Sequence, residues 1–293
     1  MTTLCDLATK LPGLVAALLD RETKLKKGRF REETLTDVFT ATLAAFAGPN
    51  LIIEYPHEAS TGGDLDLDFW HLPTSRRLRV RIQAKRLNAE KNNHKQVAIE
   101  HRSYKELLHY VPSSKDYQFR TLVKSAGSYL PLYMFYNHGS VVRHTHFASG
   151  SPTVSGINLA FAQDIAVELE AKLAAEKAVK PKRLHHKRLS HLRPHFFDLA
   201  TILCARIEPG DNVPSPNAVS EALNSRWLEG ATGTKRRSDE DSAMRYLFGS
   251  EPTQDDSRDY FRLLDGPPIR LNRELQRPQI TFLSGRGGDD FSD

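Results

Sequence analysis

The chain has 293 residues, of which 39% are hydrophobic and 26% charged, with a formal net charge of +5. This ordinary globular balance supports a sizeable core, and the absence of any run of about 18 apolar residues argues against a membrane span. Two cysteines, Cys5 and Cys204, with no CxxC spacing, argue against a disulfide scaffold or a cysteine-ligated zinc site and for a reducing cytoplasm.

Along the chain, residues 3–20 read as an amphipathic helix with a potential break at Pro12-Gly13. No basic-then-apolar export signal opens it, which also points to a cytoplasmic protein. Residues 21–30 are strongly basic and read as a loop. Residues 31–47 place Leu35, Val38, Phe39, Leu43 and Phe46 at helical spacing, and Gly48-Pro49-Asn50 stops them. Strands are expected at 51–55, 65–71 and 78–84, the last two as a hairpin through Pro73-Thr74-Ser75. Helices are expected at 95–110 and 116–127, then a buried strand at 131–136, a helix at 158–178, and short helices near 196–206 and 216–226. A polar loop follows at 230–243, and the Gly- and Asp-rich tail from Ser284 reads as disordered. This order predicts an α/β fold, a mixed sheet flanked by helices. It divides into a core over 1–155, a helical and irregular extension over 156–283 and a tail over 284–293.

Two segments carry the chemistry. Gly62-Gly63-Asp64-Leu65-Asp66-Leu67-Asp68 alternates acidic and apolar residues at the strand period, so the three acids share a face. In Arg79-Val80-Arg81-Ile82-Gln83-Ala84-Lys85, Gln83 and Lys85 share a face with Arg79 and Arg81. Either half alone is also an ordinary solvated strand. Paired, they gather carboxylates, an amide oxygen and an ammonium, which suits Mg²⁺ or Mn²⁺ and a water attacking a phosphodiester. Glu33, with Asp37 one turn on, opens the preceding helix and could add a carboxylate. Acids at a helix N-terminus are also stabilised by the macrodipole without any further role.

Basic residues cluster around these segments: Lys24, Lys26, Lys27, Arg29 and Arg31 before the helix, and Arg76, Arg77, Arg79, Arg81 and Arg86 about the strands. A third block includes Lys182, Arg183, Lys187 and Arg188. Phosphate contact is the reading for Arg79, Arg81, Arg86, Lys182, Arg183, Lys187 and Arg188. No GxxxxGK[ST] loop, GxGxxG turn or GxSxG elbow occurs, which argues against ATP- or NAD-driven chemistry and a serine-hydrolase site.

The order of a helix with Glu33, a strand with Asp64, a strand with Gln83-x-Lys85, a helix and a strand resembles the PD-(D/E)xK nuclease superfamily. Gln83 at the second acid position resembles the Mrr-like branch. The phrases Glu33-Thr34-Leu35-Thr36-Asp37, Thr61-Gly62-Gly63-Asp64, Gln83-Ala84-Lys85-Arg86-Leu87 and Pro131-Leu132-Tyr133 are similar to bacterial proteins of that branch suspected of acting against phage. The resemblance covers roughly residues 30–165. It implies a restriction-endonuclease-like αβββαβ core and a Mg²⁺- or Mn²⁺-dependent nuclease acting on DNA more readily than RNA. Asp64, Gln83, Asp66 and Glu33 then hold the metal, and Lys85 acts on the water. Gly63 replaces the superfamily's proline before the Asp. Duplex cleavage implies a homodimer, and a regulatory partner protein is compatible. The rival reading is a nucleic-acid- or partner-binding protein on the same fold with a weakened site.

Overall fold

The computed structural model describes residues 3–25, 30–46, 50–56, 64–88, 91–92, 95–96, 98–112, 114–178, 187–230, 275 and 277–285. The expected loop at 231–243 and the tail after 285 lie outside them.

Seven strands form one mixed sheet: β1 (Leu51–Glu54), β2 (Asp64–His71), β3 (Arg76–Arg86), β4 (Leu130–Tyr136), β5 (Ile157–Phe161), β6 (Phe197–Asp198) and β7 (Gln279–Ser284). Their spatial order is β1-β7-β2-β3-β4-β5-β6. β2 and β3 pair antiparallel, β3 and β4 parallel, and β7 runs parallel to β2. The main helices are α1 (Leu4–Asp20), α2 (Glu32–Phe46), α3 (Gln118–Lys124), α4 (Ala162–Ala178) and α5 (Pro216–Glu229). The fold is thus α/β, as expected, and among the described residues no helix is long and apolar enough to cross a membrane.

Alternation along the strands assigns each face of the sheet. Leu65, Leu67 and Phe69 of β2, Val80, Ile82 and Ala84 of β3, and Leu132 and Met134 of β4 point to a core closed by α1, α2 and α5. Tyr133 and Phe135 of β4 point the opposite way, into a second core with Phe119, Leu122, Ile165 and Leu169 of α3 and α4. The odd-numbered residues of β3 and the acids of β2 share this second face. Two apolar layers therefore hold a sheet whose polar row lies beside the second core.

Several elements differ from expectation. α1 continues through Pro12, because its buried Leu11, Pro12, Val15 and Leu19 and its Thr3–Asp6 capping box offset the hydrogen bond that proline cannot donate. The helix expected over 95–110 is instead two single 3₁₀ turns, at Ile99–His101 and Lys105–Leu108. Tertiary bonds claim its backbone: Asn88 N–H donates to Ser103 O, and Tyr104 N–H to Lys187 O. The expected 158–178 helix begins at Ala162, and the preceding apolar run Ile157–Phe161 is buried on both sides as β5. Ser284, placed in the tail by sequence, closes β7, which is buried throughout. β7 sits between β1 and β2, so the first three strands are not a simple meander. β5, β6 and β7 lie beyond residue 155, so the division drawn there crosses one continuous sheet. Cys5 and Cys204, against expectation, form a disulfide across 199 positions, because α1 packs on the turn at Ala200–Leu203.

Candidate functional site

The register of β2 and β3 brings the two motif segments side by side. Asp64 stands opposite Gln83, Asp66 opposite Arg81 and Asp68 opposite Arg79. Cross-strand partners project to the same face, so the Asp64 position adjoins Gln83 and, one step along β3, Lys85. The Asp64 side chain itself lies outside the described residues. Gln83 is buried.

At the C-terminal end of β3 opens a cleft of about 420 Å³, lined by Arg31, Glu32, Glu33, Lys85, Asn88 and Gln118 among others. It joins Glu33 to Lys85, two residues that the sequence proposed for one site from separate elements. Its geometry is built by α2. Thr36 Oγ1 and the Tyr136 hydroxyl lie 3.0 Å apart in the core and tie the N-terminal half of α2 to β4. Burial raises the Tyr136 hydroxyl's pKa, so it stays protonated as a hydrogen-bonding group. Glu32 Oε1 accepts the Arg86 backbone N–H at 3.1 Å and fastens the helix start to the end of β3. Glu33 is thereby held at the cleft wall, partly buried, with no hydrogen bond or ion pair among the described residues.

Lys85 is only 4% exposed. Its Nζ donates to Gln118 Oε1 at 3.0 Å, the first residue of α3. Glu32 and Gln118 are contributions that sequence reasoning missed or left undecided. Glu32 had a signal, its place beside Glu33 in the first turn. Gln118 had none, because the segment before α3 forms turns and a short hairpin that no periodicity marks.

The other two acids of β2 lie farther from the cleft. Asp66 pairs with Arg81 through two hydrogen bonds, at 3.0 and 3.1 Å, and the Arg81 guanidinium sits 4.0 Å from the Tyr129 ring centroid. Asp68 pairs with Arg77, which packs on Trp70. These contacts answer the repulsion among three same-face acids without a metal at Asp66 or Asp68. The proposed phosphate-binding residues divide likewise. Arg81 is engaged with Asp66, and Arg79 lies 3.5 Å from Ser128 Oγ. Arg86 is buried and ion-paired with Glu22 at 2.5 Å. Lys187 and Arg188 are half-buried, with their backbones tied to Tyr104 and Ser103. Lys182 and Arg183 lie outside the described residues.

The chain belongs to DUF6615, a family of unknown function, over residues 4–287. That match spans all seven strands, β7 included. No curated protein and no solved structure matches the chain.

A hard divalent cation suits the donor types: the Glu33 carboxylate on the cleft wall and, from the β2–β3 pairing next to the cleft, the Asp64 position and the buried Gln83 amide, which does not itself line the cleft. Among the described residues no three His, Cys, Asp or Glu side chains gather closely enough to hold a metal ion. A shell at this site therefore needs a carboxylate beyond those described side chains, and Asp64, paired with Gln83, is the one the sequence motif offers.

Proposed function

We propose that this protein is a divalent-metal-dependent nuclease that hydrolyses phosphodiester bonds, with DNA as its preferred substrate. The observation that carries the reading is the cleft shared by Glu33 and Lys85 at the end of β3, next to the Asp64–Gln83 pairing. Asp64, Gln83 and Glu33 would hold Mg²⁺ or Mn²⁺, which when bound neutralises phosphate charge and acidifies water. Lys85 donates hydrogen bonds to a phosphate oxygen and stabilises the negative charge that grows as water adds to phosphorus and the P–O bond breaks. Arg31 at the cleft mouth supplies a further cation for the backbone. Asp66, committed to Arg81, serves the sheet rather than the metal in this reading.

Supercoiled plasmid incubated with Mg²⁺ tests it. Wild type nicks the plasmid, chelation stops nicking, and Lys85→Ala lowers the rate by about 100-fold or more. Absence of nicking with Mg²⁺ and Mn²⁺ alike would refute it. A second reading, nucleic-acid binding without cleavage, is favoured by one observation: Asp66 and Asp68 are both neutralised by arginines, which leaves few carboxylates for a metal. It predicts salt-sensitive binding that survives both Asp64→Ala and Lys85→Ala.

A further inference from the structure

A lysine as buried as Lys85 needs a partner for its ammonium, since an uncompensated buried charge is costly. The surroundings offer both signs. The cleft presents the acids Glu32, Glu33 and Glu106 and the bases Arg31, Arg86 and His109. Yet Lys85 has no ion pair among the described residues, and its hydrogen bond there goes to a neutral amide, Gln118 Oε1. An ammonium has three donors. One is spent on Gln118, and neither of the other two has a partner among the described residues. A carboxylate in the same place would cancel the charge that a phosphate needs, whereas an amide oxygen fixes the ammonium and leaves its charge intact.

Gln118 is itself rigidly carried. Its backbone N–H donates to His109 O at 2.9 Å, closing the short hairpin that leads into α3. The next residue, Phe119, is fully buried, and Arg120 binds Asp116 at 3.1 Å and Glu170 of α4 at 2.5 Å. The side chain at position 118 is thus delivered to the cleft by an element pinned on both sides.

We propose that Gln118 is a positioning residue: it holds the Lys85 ammonium in one orientation, aimed at the scissile phosphate, without neutralising it. The contact stands on geometry alone, and its consequence for cleavage rests on the nuclease reading above.

Two measurements separate these parts. In metal-free protein, a ¹H–¹⁵N spectrum selective for lysine ammonium groups should show a slowly exchanging Lys85 signal, assigned by its loss in Lys85→Arg. Gln118→Met, similar in length but without the acceptor, should abolish that signal, and Gln118→Glu, which restores an acceptor, should keep it. In the plasmid assay, Gln118→Met should lower kcat by about tenfold, the size expected for one hydrogen bond to a charged group, with KM unchanged. Gln118→Glu should recover part of that loss. A Lys85 signal that persists in Gln118→Met overturns the positioning role, as does an equal kcat in Gln118→Met and wild type when wild type cleaves. If wild type does not cleave at all, the nuclease reading fails, while the spectra still decide whether Gln118 holds Lys85.

Discussion

His138 gives the protein a measurable acid sensitivity. It follows β4, is buried, and its Nε2 lies 3.2 Å from Leu87 O, as an N–H donor in the neutral ring. Burial pulls its pKa from the ordinary 6.5 to about 4, and the charges of Arg102 and Arg86 add to the effect, against smaller opposing contributions from the Leu87 carbonyl and Asp20. The unfolded chain therefore binds this proton more readily than the folded one. The stabilisation is complete above pH 6.5 and is lost as pH falls towards 4. The gap between those values, at about 1.4 kcal/mol per pH unit, amounts to about 3 kcal/mol, of which about 2 is already lost at pH 5. His138→Gln keeps a donor for Leu87 O and removes the titration. Urea unfolding at intervals from pH 8 to pH 4 should show wild type losing about 3 kcal/mol more than His138→Gln. Parallel stability curves for the two proteins would refute the reasoning.

Other consequences concern the sheet and its acids. Asp66→Ala leaves the Arg81 guanidinium without its carboxylate and should cost about 3 kcal/mol in urea unfolding, with Mn²⁺ affinity unchanged. A variant of wild-type stability that no longer binds metal would return Asp66 to the metal shell. Phe282 of β7 is fully buried and stacks on Phe69 at 4.6 Å between ring centroids. Phe282→Ala should destabilise the whole chain by about 3 to 5 kcal/mol in one cooperative transition. A loss below about 1 kcal/mol would mean that the C-terminal strand is not part of the core.

The motif strands were legible because their chemistry and their geometry share one period. Asp64, Asp66 and Asp68 alternate with Leu65 and Leu67, so the pattern that marks a strand also marks its polar face. The register that sets Asp64 against Gln83 follows from the short turn through Pro73 and Thr74. What the sequence concealed was long-range. Gln279-Ile280-Thr281-Phe282 does alternate, but nothing local says that this strand inserts between β1 and β2. The disulfide joins residues that only the packing of α1 brings together. The arginines that read as a phosphate-binding surround spend their charge partly inward, Arg81 on Asp66 and Arg86 on Glu22, because acids stand at cross-strand and neighbouring-helix positions that spacing alone does not reveal. Glu33 was legible as a candidate, but its placement depends on Glu32 and the Thr36–Tyr136 contact, both tertiary.

The proposed site is tested most directly by locating a metal. Crystals of the wild-type protein soaked in Mn²⁺ and measured at a wavelength where manganese scatters anomalously should give one strong peak in the cleft, within coordinating reach of Asp64, Gln83 and Glu33, and Asp64→Ala crystals should lack it. An empty cleft in wild type, or a peak that survives in Asp64→Ala, would contradict the account.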